Sequence, residues 1–149
     1  MMNSLCRNFS RILSHIPVWM LSAVLIGAVL WLTLASKPLG DDAPSFFPGA
    51  DKIAHALMFG AIAGAVMLDW QRAIRRRLPA GAMIAAGIGA AAFGAATEWM
   101  QDAMHAGRAF EWADMAADAA GAAIATLCAL LMRRGSSVNN NDNTTHPAR

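Results

Sequence analysis

The sequence predicts an all-α, polytopic membrane protein: four transmembrane helices in a small-residue-packed bundle, with both termini cytoplasmic. Three observations carry this. Four apolar stretches, 18–35, 53–70, 80–97 and 113–132, each run to about 18–20 residues, the length a helix needs to cross the hydrocarbon core of a bilayer. The 149 residues are 56% hydrophobic and 15% charged, against roughly 25% charged in a soluble domain. The charges also divide between alternate ends of the stretches. Arg7 and Arg11 precede the first, Arg72, Arg75, Arg76 and Arg77 separate the second from the third, and Arg133 and Arg134 close the fourth. The opposite ends hold Lys37, Lys52 and Arg108 among Asp41, Asp42, Asp51, Glu98, Asp102, Glu111 and Asp114. By the positive-inside rule the arginine-rich ends are cytoplasmic and the loops 36–52 and 98–112 face outward.

Residues 1–16 form a short basic cytoplasmic lead-in, 17–134 the four-helix transmembrane domain, and 135–149 a polar tail whose composition predicts disorder. The first stretch exceeds the 7–15 residues of a typical signal-peptide core, so it reads as a retained anchor. Pro17 suits the first turn of that helix, and Trp19 and Trp31 mark its two membrane interfaces. The segment 37–50 carries prolines and glycines and is a loop. Trp99 and Trp112 read as further interfacial anchors and the many methionines as core filler. The second stretch contains GAIAG at 60–64, and 81–94 and 116–125 are almost wholly Ala and Gly. In lipid, close backbone approach through such residues supplies the packing between helices. Dimerisation through Gly60 and Gly64 is open to the chain, but packing within it is the favoured use. The run RAIRRR is a topogenic loop, with no nucleic-acid partner expected. Cys6 and Cys128 lie at different depths and offer neither a disulfide nor a metal spacing.

Polar residues gather at the outward ends of three stretches. Asp51 and His55 stand at i, i+4, as do Asp114 and Asp118, while Gln101 and Asp102 follow Glu98 at i+3 and i+4. Lys52, His105 and Arg108 lie beside them. Exposure of these groups to lipid would be costly, so they should turn inward toward one another or toward a water-filled cavity. Arg108 can hold a carboxylate or phosphate bidentately, with Glu98 and Asp114 its expected partners. Asp51, His55, Glu98, Asp114 and Asp118 are metal-ligand types, but no spacing such as HExxH is present, so neither metal nor cofactor is expected. The outward-facing serines, Ser36 and Ser45, lie in loops without a nucleophile motif. No 20–50-residue repeat and no pair of broken helices argues for a transporter.

The string DKIAHALMFG at 51–60, TEWMQ at 97–101 and GRAFEWADMAADAAGA at 107–122 resemble the VanZ-like family of small bacterial membrane proteins. That family's pattern is DKxxH with an aromatic four residues on, then ExxQ, then GRxF(D/E)xxDxxxNxxG. The matching positions are Asp51, Lys52, His55, Phe59, Glu98, Gln101, Gly107, Arg108, Phe110, Glu111, Asp114 and Gly121. Asp118 departs, standing where many members have Asn and adding a charge. The likeness spans about residues 37–131 and rests on three motifs in order. It implies a multi-pass protein of the bacterial inner membrane, in a family named for a member linked to teicoplanin (glycopeptide) resistance. The expected function is non-enzymatic: an outward polar pocket binding an anionic lipid or lipid-linked cell-wall headgroup. There Arg108 and Lys52 would meet the anion, and Asp51, His55, Glu98, Gln101, Asp114 and Asp118 would orient them. The alternative is an intramembrane hydrolase or transferase with Glu98 and His55 as its acid and base. A purely structural role, locking the bundle, is the plain third reading.

Overall fold

The computed structural model describes residues 15–34, 47–104 and 111–142, with side chains described as far as Arg134. Among them there are four helices and no strand: α1 Met20–Leu34, α2 Ala50–Ile74, α3 Ala80–Ala103 and α4 Trp112–Asp142. Three of these, α2, α3 and the portion Trp112–Arg134 of α4, are long and apolar enough to cross a membrane. The fourth crossing expected at 18–35 is described only as α1, whose 15 residues span about 22 Å, short of a 30 Å hydrocarbon core. Trp19 takes a left-handed φ of 74°, so the helix starts at Met20, and Pro17 precedes it instead of sitting in its first turn. The backbone of α4 stays helical to Asp142, beyond Arg134 and into the polar segment expected to be disordered. Propagating a formed helix costs little compared with starting one.

Consecutive helices run antiparallel. One end of the bundle, here the acidic end, joins the C-terminal ends of α1 and α3 to the N-terminal ends of α2 and α4. The other, the arginine end, carries the connection between α2 and α3, where Arg75 adopts a left-handed φ of 51° and Pro79 opens α3. The most extensive contact is α2 with α4; α1 packs on α2 and α3.

Small residues set that α2–α4 contact. A Cβ on Gly121 would lie 1.9 Å from the Ala56 carbonyl oxygen, and one on Gly60 would lie 3.1 Å from the Gly121 oxygen. Gly64, the other half of the GxxxG, has open space where a Cβ would stand. Gly60 is thus spent on packing within the chain, as the sequence favours. The same device brings α3 to α4: a Cβ on Gly87 would strike Thr126, and one on Gly94 would strike Asp118. Phe59, Ile62, Ala63, Leu78, Ala90 and Ala122 fill the core between them. Trp31, Leu57, Ile88, Trp99, Trp112, Ile124 and Leu127 are exposed, as lipid-facing and interfacial side chains would be.

A buried polar cluster at the arginine end was not foreseen. Asp69, fully enclosed within the second apolar stretch, accepts hydrogen bonds from the Ser22 backbone N–H at 2.9 Å and its hydroxyl at 2.8 Å. Arg72 donates to its other oxygen at 2.7 Å and also to the Ile16 carbonyl. Ser22 lies in the first turn of α1, so Asp69 acts as a cap supplied from a neighbouring helix. An acid inside an apolar run with an arginine at i+3 is the signal that could have revealed it.

Candidate functional site

At the acidic end, α2 contributes Asp51, Lys52 and His55 from its first two turns. Acids suit the N-terminal ends of α2 and α4, where the helix dipole is positive. Lys52 lies beside three carboxylates: its Nζ is 2.7 Å from Asp51 Oδ2, 2.9 Å from Glu111 Oε2 and 3.1 Å from Asp114 Oδ1. Asp51 and Glu111 are more than half exposed, whereas the Asp114 side chain is 15% exposed and leads inward.

One turn deeper, His55 is buried. Its Nδ1 is 2.9 Å from Asp118 Oδ1 and 3.9 Å from Glu98 Oε1, and its Nε2 is 3.9 Å from Asp114 Oδ2. A carboxylate can only accept, so the ring donates to Asp118 from Nδ1; in neutral imidazole, Nε2 then carries the free lone pair. The ring stacks at 6.4 Å on Phe59, which contacts Phe93 in turn. Helix periodicity explains this convergence. His55 and Phe59 share a face of α2, Asp114 and Asp118 share one of α4, and Glu98 lies on the inward face of α3 with Gln101 one turn beyond it. Gly94 leaves the space that the Asp118 carboxylate fills, since a Cβ there would lie 2.6 Å from Oδ2.

Two oxygens in this cluster have no hydrogen-bond partner although both are enclosed: Glu98 Oε1 and Asp118 Oδ2. Buried acceptors in folded proteins are normally paired. His55, Glu98 and Asp114, one residue from each of three helices, also present donor atoms that all lie within 4.8 Å of one another.

The structure therefore brings together Lys52, His55, Glu98, Asp114 and Asp118, and places Asp51 at the rim through Lys52. Gln101 is buried as expected, but it serves a different purpose. Its Nε2 donates at 2.6 Å to the Thr33 carbonyl, satisfying the C-terminal end of α1 and holding that helix against the site. Asp102 is exposed and takes no place in the cluster. Arg108 and His105, with Gly107 and Phe110 of the third motif, lie outside the described residues. Glu111, expected only as part of that motif, is a direct partner of Lys52.

No protein-family model, curated protein or solved structure matches this chain. The site therefore has to be read from its own chemistry. Among the described residues, Asp51, Glu98, Glu111, Asp114 and Asp118 surround one lysine and one histidine. That set can hold a cation, bind the amino or hydroxyl groups of a ligand, or move a proton. It meets an anion only with help from further positive charge.

Proposed function

We propose that the acidic end faces outward from a bacterial cytoplasmic membrane and binds the headgroup of a lipid or lipid-linked cell-wall precursor, as a VanZ-like protein of the cell envelope. The observation that carries this reading is the pair of enclosed, unpartnered oxygens on Glu98 and Asp118 beside His55. A cluster that merely locked helices together would pair its acceptors; here Glu98 Oε1 stays unpartnered beside the imidazole, while Asp118 Oδ2 packs against Gly94. Its depth fits, because the cluster sits where membrane-spanning helices begin and end, level with a lipid headgroup. The division of arginines and acids between the two ends supports the orientation. In this reading Lys52 and Arg108 meet the phosphate, and His55, Glu98, Asp114 and Asp118 fix the rest of the headgroup. Asp51 holds Lys52, and Gln101 braces α1. Glycopeptide resistance, teicoplanin included, would follow from control of a cell-wall precursor at this site.

Native mass spectrometry of the detergent-purified protein tests the proposal. Wild type is expected to retain a defined lipid or lipid-linked glycan, and folded Arg108→Ala to lose at least tenfold of it. Equal retention by both, or none by wild type, contradicts it.

The 2.9 Å contact between His55 and Asp118 favours a second reading, an acid/base hydrolase or transferase acting on the same headgroup. An imidazole oriented by a carboxylate, with a buried glutamate alongside, is equipped to take and return a proton. Turnover of the retained lipid by wild type, abolished in folded Glu98→Gln, would establish it.

A further inference from the structure

We propose that His55, Glu98 and Asp114 form a binding site for one divalent transition-metal ion, with Asp118 holding the imidazole in place. Four observations converge on it. The three residues come from α2, α3 and α4 and present donor atoms within 4.8 Å of one another. Glu98 is 1% exposed and its Oε1, 3.9 Å from His55 Nδ1, has no hydrogen-bond partner. The Nδ1 of His55 is occupied by Asp118 at 2.9 Å, which leaves Nε2 toward Asp114 Oδ2 at 3.9 Å. A histidine ligand whose other nitrogen is held by a carboxylate is the usual arrangement around protein-bound metals, because it fixes the tautomer and aims the lone pair. Finally, the surrounding carboxylates outnumber the bases, so a dication neutralises charge that Lys52, already beside three acids, does not.

Donors on one ion at about 2.1 Å stand roughly 3.0–3.5 Å apart. The 3.9 Å between Nε2 and Asp114 Oδ2 closes by a carboxylate rotation on the order of 1 Å, whereas Glu98 Oε1, 3.9 Å from the Nδ1 side of the ring, has to swing farther along the ring edge to reach the same ion. An imidazole with two carboxylates suits Zn²⁺ or Mn²⁺ better than Mg²⁺ or Ca²⁺, which favour all-oxygen shells. Three protein ligands leave at least one position open. Asp114, the partly exposed member, marks the side from which a ligand arrives.

An ion there would also let an acid-rich cluster receive an anion, with the open position available as a bridge to the headgroup phosphate. This last step rests on the headgroup reading; the ion site itself does not.

The test uses the full chain in detergent, stripped with a chelator and then dialysed against Zn²⁺ or Mn²⁺ alone, with bound metal counted by elemental analysis. Wild type is expected to hold one ion per chain. The near-isosteric variants Glu98→Gln and Asp114→Asn should each weaken binding at least tenfold while keeping wild-type helical circular dichroism. No ion on wild type, or unchanged binding in both variants, overturns the site. Native mass spectrometry on stripped and reloaded wild type tests the bridge. Lipid retention should fall at least tenfold on stripping and return on reloading. Retention indifferent to the metal overturns the bridge and leaves the headgroup reading standing.

Discussion

Gly121→Ala is expected to be the most damaging single-methyl change in the bundle. The added Cβ would fall 1.9 Å from the Ala56 carbonyl oxygen, 2.6 Å from its carbon and 2.8 Å from the Ala56 Cα. All three are backbone atoms, so no side-chain rotation relieves the clash, and α2 and α4 must separate. Overpacking of a close contact typically costs 1–3 kcal/mol and sometimes more. With no side chain able to give way, about 3 kcal/mol or more is expected here. For a chain of this size that corresponds to a fall of roughly 6–12 °C in Tm. The effect reaches the site as well, because Asp118 stands one turn before Gly121 on α4 and meets His55 across the same interface. Gly64→Ala is the matched control. Its Cβ meets nothing within 4 Å, and alanine is favoured over glycine in a helix interior by about 0.5–1 kcal/mol, so a Tm equal to wild type or higher by roughly 1–4 °C is expected. Thermal unfolding in detergent followed by circular dichroism checks both, and equal stability of the two variants would refute the packing account.

His55→Ala should be comparably destabilising for an electrostatic reason. His55 is 5% exposed and is the hydrogen-bond partner of Asp118, which is fully buried. Its loss leaves Asp118 Oδ1 unpaired next to Oδ2, already without a partner, and removes the ring nearest to Glu98 Oε1. Removing one member of a buried polar pair costs about 3–5 kcal/mol, chiefly as the penalty of the group left behind. Taking away the orphaned acid as well, in His55→Ala/Asp118→Ala, should therefore recover part of the loss. A double-mutant cycle read by thermal unfolding measures this coupling, with about 1–3 kcal/mol expected for residues in contact. Additive losses would mean that the pair does not interact.

Much of this was legible in the sequence because lipid leaves the chain few options. A run of about 18 apolar residues has one economical structure in a bilayer, so α2, α3 and α4 follow from the positions of the charges alone. The i, i+4 spacings paired Asp51 with His55 and Asp114 with Asp118; His55, Asp114 and Asp118 do turn inward and Asp51 stays exposed at the rim, while Glu98, at the end of an uncharged run, is buried. What the sequence could not supply was pairing across helices. Glu98 and Gln101 stand on the same face of α3, yet one points at His55 and the other at the Thr33 carbonyl, a choice decided by where α1 packs. Asp69 was overlooked because its partner, the first turn of α1, lies far away in sequence. The His55, Glu98 and Asp114 triad was hidden for the same reason: each helix contributes one residue, and no linear motif records such a set.

Within the cluster at the acidic end, His55 and Asp118 stabilise the fold, whereas Glu98 is held there for a ligand. The Tm of Glu98→Gln relative to wild type, both freed of bound metal and lipid, tests it most directly. Proteins accept local instability at binding sites, and neutralising an enclosed, unpartnered carboxylate oxygen among other acids relieves it. A Tm equal to wild type or higher by a few degrees is expected, alongside the loss of metal and headgroup binding. A Tm lower by several degrees would contradict it and return Glu98 to a purely structural role.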